Sequence, residues 1–414
     1  MSQQRIVITG LGTVNPCGNN VTDFWDSLKN GKSGIDNISM FDVSDLPTKI
    51  GGEVRGVNFE DFVDAKEVNR TDRFILHAIA ASDEAVKDAN LTDASIDPER
   101  VGVIISSGIG GLNYLETEAG KLLEKGPRRV SAFFIPMMIA DMASGMVSMK
   151  YGFKGPNYCV VSACASGAHG IGDAMLALRA GMMDACICGG TEASLTRLGF
   201  AGFCAMKAMS TRNDIPQKAS SPFDLNRDGF VMGEGAGVCV LETLEHAQKR
   251  GAKIYAEIVG YGATGDAYHL SSPAPEGEGA QRVMKMALKT AGMQTTDIDY
   301  ISAHGTSTPH NDKNETIAIQ KVFGDHAPKI SISSIKSMTG HLLGAAGGTA
   351  FVALTKTIAE DIVPPTINYE TPDPELTLDY TPNKAKSKVV NAGMCNLFGF
   401  GGHNCSLIVK KFIK

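Results

Sequence analysis

The segment Val160–Gly167, with the sequence VVSACASG, passes from an apolar strand-like run into a helix of small residues. A similar strand-to-helix arrangement occurs later in the chain, where a strand-like run is followed by KSMTGH and a second small-residue helix that begins at His341. Helices of glycine and alanine have modest intrinsic propensity but permit close backbone approach. We therefore expect both helices to lie at the centre of one duplicated core, facing each other.

Short β-branched runs alternate with helical patterns along the chain, which predicts an α/β architecture with buried strands. A helix, an acidic connector and a strand occur over residues 70–108 and again over 278–305. We therefore predict two similar halves, residues 1–255 and 256–414. The predicted strands are 5–10, 101–107, 157–163, 184–190, 298–303 and 329–335, and the predicted helices are 70–90, 165–180, 278–291 and 341–360.

The composition is that of a globular protein: 414 residues, 43% hydrophobic and 20% charged. A formal charge of −6 argues against a general nucleic-acid binder. No apolar run reaches the roughly 18 residues that cross a bilayer, so no membrane insertion is expected. The first residues resemble no targeting segment, and nine cysteines without a paired framework suit a reducing compartment, which predicts a cytoplasmic location.

Several cofactor motifs fail on inspection. Residues 10–15 follow a strand but lack the third glycine of a dinucleotide fingerprint. Residues 224–235 open like a calcium loop, yet Gly235 stands where the bidentate carboxylate belongs. Cys186 and Cys188 have too few potential ligands nearby for a metal site. The sequence therefore predicts neither a metal nor a resident cofactor.

Cys164 is the candidate nucleophile, because it stands where an apolar run turns into a glycine-rich helix. The positive end of a helix dipole lowers a thiol pKa, and the unpaired N–H groups there can stabilise an oxyanion. A buried structural cysteine is the competing interpretation.

Two histidines are candidate catalytic groups. His304 follows a predicted strand and precedes a loop crowded with hydroxyls, where a satisfied loop residue is the alternative. His341 is expected to cap an apolar helix, to be neutral, and to donate one hydrogen bond. Lys336 and Glu315 are expected to form a neutralising pair nearby, with a purely structural ion pair as the alternative.

Five motifs in order support a family resemblance. They are SACASG at 162–167, RDGFVMGEG at 227–235, HGTST at 304–308 with Asp312 and Glu315 after it, KSMTGH at 336–341, and NLFGFGG at 396–402. Over essentially its whole length the chain resembles the β-ketoacyl-acyl carrier protein synthases, and among them the elongating enzymes of bacterial type II fatty acid synthesis.

The resemblance implies a thiolase-like five-layer αβαβα fold built from two similar halves and assembled as a homodimer. It implies decarboxylative condensation of an acyl-enzyme thioester with malonyl-acyl carrier protein, giving a 3-oxoacyl-acyl carrier protein and carbon dioxide. Acyl carrier protein would be the partner, and its phosphopantetheine arm would carry the substrates, with no cofactor bound by the enzyme.

The resemblance also assigns roles by matching position. Cys164 matches the nucleophile, and His304 with His341 the decarboxylating pair. The backbone N–H groups of Cys164 and Phe400 match the oxyanion hole, in a glycine-rich loop that also suits a hinged gate. The supporting residues are Lys336 and Glu315, the contacts to the phosphopantetheine arm are Thr306 and Thr308, and the acyl-tunnel residues are Ile109, Phe203, Phe230 and Phe134, the last reaching across the dimer.

A basic docking patch for the acidic carrier protein is implied by Lys66, Arg70, Arg128, Arg129 and Lys207. Asn69 stands where relatives often carry a basic residue. Ala165 and His403 replace threonines that are common in relatives. Leu397 replaces a serine, a departure that the sequence does not explain.

Three alternatives use the same scaffold. A thiolase acting on coenzyme A esters would need a second active cysteine, for which Cys395 and Cys405 are candidates. A polyketide-type ketosynthase would share the condensation chemistry. A noncatalytic chain-length partner in a polyketide complex would generally lack the nucleophile that this chain has at Cys164.

Overall fold

The computed structural model describes residues 4–413. The strands are β1 (Ile6–Val14), β2 (Asp36–Asn37), β3 (Ile50–Gly51), β4 (Val101–Ser106), β5 (Ala185–Glu192), β6 (Gly235–Thr243), β7 (Ala256–Gly265), β8 (Tyr300–Ser302), β9 (Ser331–Ser333), β10 (Ile362–Val363), β11 (Lys386–Ser387), β12 (Ala392–Gly399) and β13 (His403–Lys410).

The α-helices follow the same chain order. They are α1 (Val21–Lys29), α2 (Ala65–Val68), α3 (Arg73–Asp88), α4 (Leu112–Lys125), α5 (Phe134–Met138), α6 (Met142–Tyr151), α7 (Ser166–Arg179), α8 (Arg197–Ala205), α9 (Leu244–Lys249), α10 (Glu278–Ala291), α11 (Pro309–Phe323), α12 (Lys336–Thr339) and α13 (Ala346–Glu360). No helix within the described chain is long and apolar enough to cross a membrane.

The main sheet has the strand order β4-β5-β6-β1-β7-β13-β12-β8-β9. It consists of two similar parts joined where β1 pairs with β7, a contact that in β1 covers only residues 6–8. In the first part β4 and β5 run parallel and β6 antiparallel to β5, and in the second part β8, β12 and β13 repeat this arrangement. The duplication inferred from the sequence is therefore visible in the strand pairing.

Five layers result from this pairing. α7 and α13 contact strands of both parts of the sheet, so they form the central layer. α3 and α6 cover the outer face of the first part, and α10 covers that of the second. The predicted thiolase-like fold is confirmed.

The small residues of the central helices are needed for close approach. A Cβ on Gly167 would lie 2.8 Å from the carbonyl oxygen of Gly344, and one on Gly347 would lie 2.3 Å from the backbone nitrogen of Ala168. The prediction that the two helices face each other is thus confirmed at backbone distance.

The turns before these helices are also duplicates. Each is a 3₁₀ turn, Ala163–Ala165 and Leu343–Ala345, and each begins with a non-glycine residue at positive φ, 51° at Ala163 and 48° at Leu343. Such φ values are uncommon outside glycine, so the shared feature is diagnostic of a repeated corner. In this repeat Gly344 is the counterpart of Cys164.

Two local predictions are wrong. The run 157–163 is not a strand: Asn157 makes one bridge to Val103, and the hydroxyls of Ser144 and Ser106 then bond the backbone of Tyr158 and Val160. Side-chain hydrogen bonds thus replace the ladder that the apolar run predicted.

The second error concerns His341, which does not cap a helix. It lies in the loop before the 3₁₀ turn, and α13 begins at Ala346.

Candidate active site

A cavity of about 500 Å³ opens beside the 3₁₀ turns that precede α7 and α13 and beside the ends of β8 and β12. Its lining includes Cys164, His304, His341, Phe398 and Phe400. The structure therefore brings together the nucleophile candidate, both candidate histidines and the glycine-rich loop, although they are far apart in sequence.

Cys164 sits in the 3₁₀ turn that leads into α7, with 7% of its surface exposed. Burial raises the pKa of its thiol to about 12, whereas the Lys336 cation and the backbone N–H groups of Phe400 and Cys164 favour the thiolate. The predicted lowering of this pKa is wrong, because the helix-end effect of about 0.3–1 kcal/mol is smaller than the desolvation of a buried anion. The cysteine rests as a thiol.

The loop after β12 supplies the second N–H group at the sulfur. It can reach Cys164 because Gly399 has no side chain: a Cβ there would lie 2.7 Å from the carbonyl oxygen of Ser162 and 3.2 Å from the nitrogen of Cys164. The loop then turns back through Gly401 and Gly402, both at positive φ. The N–H groups of Phe400 and Cys164 thus converge on the sulfur, which is the geometry of an oxyanion hole.

His304 is held by the first turns of α11. The carboxylate of Glu315 accepts the backbone N–H of His304 at 2.9 Å and that of Gly305 at 2.8 Å. Asp312 likewise accepts the backbone N–H of Thr306 at 3.0 Å. Two buried carboxylates therefore fix the backbone that carries the imidazole.

The hydrogen bonds of the two imidazoles indicate where their protons lie. The backbone N–H of Leu343 donates to Nδ1 of His341 at 3.3 Å, so the proton of a neutral His341 is on Nε2. Nδ1 of His304 is buried without a hydrogen-bond partner within residues 4–413. A proton on that atom would be left without an acceptor, so Nε2 is favoured as the donor here too.

Both imidazoles are neutral. Burial lowers the pKa of His304 and of His341 well below the usual value, and the cation of Lys336 lowers both further. The ring centroids lie 5.4 Å apart with their planes at 86°. The prediction that His341 is neutral is confirmed, and two neutral N–H donors flank one cavity.

Lys336 and Glu315 do not form a direct ion pair, although each charge shifts the pKa of the other group toward its charged form. Both side chains are buried, but no contact within 4.0 Å joins their charged atoms in the part of the chain that the structure describes. Glu315 bonds backbone N–H groups instead, and burial raises its pKa to about 7. Burial lowers the pKa of Lys336, against the charge of Glu315. The lysine therefore acts over a longer distance on Cys164 and both imidazoles.

The substrate-contact candidates divide into two groups. Thr306 and Thr308 line the cavity with their hydroxyls 2.8 Å apart, and Thr308 also caps α11. On the other side Phe230 packs edge-on against His341 at 5.4 Å and against Phe203 at 5.5 Å. Ile109 lines the same cavity.

Phe134 does not line the cavity of this single chain. It begins α5 and is partly buried. Leu397, which the sequence left unexplained, is fully buried in the core between the two parts of the sheet. An apolar side chain is therefore suited to that position.

The five cations expected in a docking patch are all exposed. Lys207 lies at the cavity, and the guanidinium of Arg70 lies 5.4 Å from the ring centroid of Phe133. Within residues 4–413 none of the five is paired with a carboxylate, the group being Lys66, Arg70, Arg128, Arg129 and Lys207.

The second cysteine that a thiolase would need is not at this site. Cys395 and Cys405 are fully buried in the central core and neither lines the cavity. No group of three potential metal ligands occurs among the described residues.

The sequence did not indicate one residue at the wall of this cavity. Glu192, the last residue of β5, is fully buried at the wall of the cavity. The only signal was a charged residue two positions after the predicted buried strand 184–190.

Comparisons with known proteins show the family of this chain. Residues 3–247 match the family model described as "Beta-ketoacyl synthase, N-terminal domain", and residues 255–370 match the corresponding C-terminal domain. A 3-oxoacyl-[acyl-carrier-protein] synthase 2 of Synechocystis sp. is 52% identical over 412 residues, covering 100% of this chain and 99% of that protein. The protein of the same name from Staphylococcus aureus is 51% identical, with both chains fully covered.

Solved structures of ketosynthases also superpose on this chain. A type II polyketide ketosynthase in complex with its acyl-carrier protein superposes with a TM-score of 0.93 at 36% identity, covering both chains fully. A β-ketoacyl synthase from Burkholderia phymatum superposes with a TM-score of 0.92 at 34% identity, covering 99% of this chain and 100% of that one.

Proposed function

Because this chain belongs to the β-ketoacyl synthase family, we propose that it joins an acyl group held on Cys164 to two carbons of malonyl-acyl carrier protein. The products are a 3-oxoacyl-acyl carrier protein and carbon dioxide, and the reaction serves fatty acid elongation. The observation that carries this proposal is one cavity in which a thiol under two backbone N–H groups faces two neutral imidazoles.

The first step is acyl transfer to the cysteine. The sulfur of Cys164 attacks the thioester carbonyl of the acyl donor, and the N–H groups of Cys164 and Phe400 hold the oxyanion. Since burial raises the thiol pKa to about 12, the proton leaves as the sulfur–carbon bond forms. It ends on the departing thiol of the carrier.

The second step makes the carbon nucleophile. The malonyl thioester carbonyl accepts hydrogen bonds from Nε2 of His304 and of His341, and the enolate that forms as carbon dioxide leaves is held by the same donors. Neutral donors suit this step, because they stabilise the growing negative charge without first surrendering a proton. The enolate carbon then attacks the acyl thioester, and the sulfur of Cys164 leaves and regains a proton.

The lysine and the two acidic residues support this chemistry from outside the reacting atoms. Lys336 opposes protonation of both imidazoles and favours the anionic sulfur. Glu315 and Asp312 hold the backbone around His304. Thr306 and Thr308 present hydroxyls to the phosphopantetheine arm, which brings both substrates, so the enzyme needs no cofactor of its own.

The acyl chain extends toward Ile109, Phe203 and Phe230. Phe230 belongs to a cluster of buried apolar residues that includes Cys164 itself, Phe203 packs against that cluster, and Ile109 lines the same cavity. Phe134 completes this tunnel from a second copy of the chain.

A homodimer accounts for an exposed apolar face. In the run 157–162 the structure records ladder pairing on one side only, at Asn157, and the neighbouring side chains are exposed. An unpaired edge bordered by apolar side chains is the kind of surface that a second copy covers. The exposed members are Ile109 41%, Ile135 56%, Met149 68%, Tyr158 39% and Val161 60%. Light scattering should give twice the chain mass, and Val161→Asp should reduce it to one; a monomeric unsubstituted protein would contradict the dimer.

The carrier protein docks on exposed cations, of which Lys207 lies at the cavity. On a chain of net charge −6, cations without a carboxylate partner in residues 4–413 are the groups that an acidic partner would recognise. The ketosynthase relative solved with its acyl-carrier protein supports this partner.

Two further assignments complete the proposal. The halves divide near residue 255, in the loop between α9 and β7, giving units of residues 1–255 and 256–414. The enzyme works in the cytoplasm, where its nine free cysteines would stay reduced.

A polyketide-type ketosynthase is the competing assignment, since such proteins share this fold at 36% identity or less. The relatives that are half identical over the full length favour fatty acid elongation. A noncatalytic chain-length partner is disfavoured by Cys164 and both histidines in one cavity.

The test is a condensation assay with acyl-acyl carrier protein and malonyl-acyl carrier protein, followed by intact mass of enzyme and product. We expect an acyl adduct on Cys164, a product two carbons longer, and neither adduct nor product with Cys164→Ala. Cys17→Ala is the matched control, because Cys17 is also buried with its pKa raised to about 12 but lies outside the cavity. Unchanged product formation by Cys164→Ala would overturn the assignment.

A further inference from the structure

Glu192 is a buried acid that the proposed mechanism does not use. Its two carboxylate oxygens accept three hydrogen bonds: from the hydroxyl of Ser107 at 3.0 Å, from the backbone N–H of Gly108 at 3.0 Å and from that of Gly344 at 3.1 Å. The residue is fully buried and borders the cavity that holds Cys164.

The hydrogen bond between Gly344 and Glu192 lies at the duplicated 3₁₀ turn. Gly344 is the counterpart of Cys164 in the duplicated corner, so its N–H is the counterpart of the Cys164 N–H. In the first half the N–H of Cys164 is open to the oxyanion of the substrate. In the second half the equivalent N–H, that of Gly344, donates to the carboxylate of Glu192, which sits where a substrate oxygen would sit in the true site.

On one side the bonds of Glu192 lead to the acyl tunnel. Ser107 donates its hydroxyl to Glu192 and accepts the backbone N–H of Gly110 at 3.0 Å. Since Glu192 also accepts the N–H of Gly108, the residue between these two glycines, Ile109, is bracketed by bonds that converge on one carboxylate.

On the other side the bonds lead to the decarboxylating pair. The N–H of Gly344 donates to Glu192, and the N–H of the preceding residue, Leu343, donates to Nδ1 of His341. The same short turn therefore contacts Glu192 with one N–H group and orients the imidazole with the next.

We propose that Glu192 is a positioning residue that holds the Ile109 loop and the His341 turn in a fixed relation, so that His341 stays aligned for decarboxylation when an acyl chain fills the tunnel. This inference rests on the proposed function. Removing the carboxylate leaves the buried N–H of Gly344 and the partly buried N–H of Gly108 without their acceptor, which favours a shift of both segments. Small displacements of an aligned donor cost large factors in rate.

The test separates the two half-reactions. Acylation of Cys164 is followed by intact mass, and malonyl decarboxylation is followed in a Cys164→Gln background, where it does not depend on acyl transfer. We expect Glu192→Ala to lower decarboxylation on the order of tenfold or more and acylation by no more than about threefold. In the full reaction kcat should fall more than KM for malonyl-acyl carrier protein rises.

Three comparison variants make the result specific. Glu192→Gln can accept both backbone N–H groups through its amide oxygen, so it should recover most of the lost decarboxylation. Ser107→Ala keeps the bond to Gly344 and should cost less than Glu192→Ala. Glu84→Ala removes another carboxylate that accepts two backbone N–H groups, from Thr13 and Val21, far from the cavity; it should leave the ratio of the half-reactions unchanged.

Equal losses in both half-reactions, or a Glu192→Gln variant as impaired as Glu192→Ala, would overturn the inference. So would a Glu84→Ala variant with the same skewed ratio, since the effect would then be general destabilisation. Failure of the unsubstituted protein to acylate Cys164 would instead contradict the proposed function.

Discussion

The imidazole rings of His304 and His341 stand nearly perpendicular, at 86° with centroids 5.4 Å apart, and each is favoured to carry its proton on Nε2. They reach this relation from different directions. His304 is placed by carboxylates of α11 behind its backbone, and His341 by an N–H of the following turn. Two independently held donors can therefore address one carbonyl oxygen.

Removing either donor should slow decarboxylation far more than acylation. His341→Ala and His304→Ala are each expected to lower malonyl decarboxylation on the order of 10²-fold, the usual cost of one oxyanion donor. Carbon dioxide release in the Cys164→Gln background measures this. The matched control is His326→Ala, a partly buried histidine that bonds a backbone carbonyl outside the cavity. An undiminished rate in His341→Ala would contradict its donor role.

The free energy of unfolding should fall as the pH drops below about 6.5, partly through these histidines. Burial holds the pKa of His304 well below its usual value, so in this range the unfolded chain binds a proton that the folded chain does not. The folded state is then favoured above the unfolded pKa and loses up to about 1.4 kcal/mol per pH unit per histidine below it.

Denaturant unfolding at pH 7.5 and 5.5 checks this sign. In His304→Gln the contribution is absent, so the stability difference between the unsubstituted protein and the variant should shift toward the variant at pH 5.5. A shift toward the unsubstituted protein would mean that His304 is protonated in the fold.

Alkylation of Cys164 should respond in opposite directions to two buried charges. Lys336 lowers the thiol pKa and Glu192 raises it. Lys336→Met is therefore expected to slow modification by iodoacetamide at pH 8, and Glu192→Gln to accelerate it, because the thiolate is the reacting form. Intact mass against time gives both rates. Changes of the same sign in both variants would show that access, and not charge, governs the rate.

Gly399→Ala should slow the acylation of Cys164 without an equally large loss of stability in the rest of the protein. Its Cβ would lie 2.7 Å from the carbonyl oxygen of Ser162, so the loop carrying Phe400 must move away from Cys164. We expect acyl transfer to fall on the order of 10²-fold as the N–H pair is disrupted. Gly120→Ala in α4 is the control, because a Cβ there meets nothing within 4 Å. Acylation at an unchanged rate in Gly399→Ala would argue against the assigned N–H pair.

Reversal of charge at the cavity mouth should weaken carrier-protein binding. Lys207→Glu is expected to raise KM for malonyl-acyl carrier protein several-fold with little change in kcat, and the effect should shrink at high salt. Lys285→Glu, on α10 and outside the proposed patch, is the control. Equal KM values for Lys207→Glu and the unsubstituted protein would exclude that residue from the docking surface.

The sequence predicted what depends on local patterning. The helix predicted over residues 278–291 matches α10 at both ends, because its apolar period is strong and left-handed glycines, Gly277 and Gly292, bound it. The predicted strand 157–163 is wrong, because an apolar run indicates that a segment is buried but not which groups bond its backbone. Here serine hydroxyls form hydrogen bonds with that backbone.

The chemistry of the site shows the same limit. The motif around Cys164 indicated a helix start but not the depth of burial, which reversed the direction of its pKa shift. The charges of Lys336 and Glu315 suggested a pair, but the carboxylate of Glu315 accepts hydrogen bonds from backbone N–H groups of the loop just before α11. Glu192 was missed for a related reason, because its importance lies in partners that sequence spacing does not reveal.

The two corners that begin at Ala163 and Leu343, each with a positive φ, differ in the space they leave for a side chain. A Cβ on Gly344 would lie 2.2 Å from the nitrogen of Gly108 and 2.7 Å from a carboxylate oxygen of Glu192. The later corner therefore has no room for a second thiol, although its backbone copies the first. The duplicated fold thus contains two similar corners, but only the earlier one has space for a cysteine side chain. Each chain therefore has one thiol in such a corner.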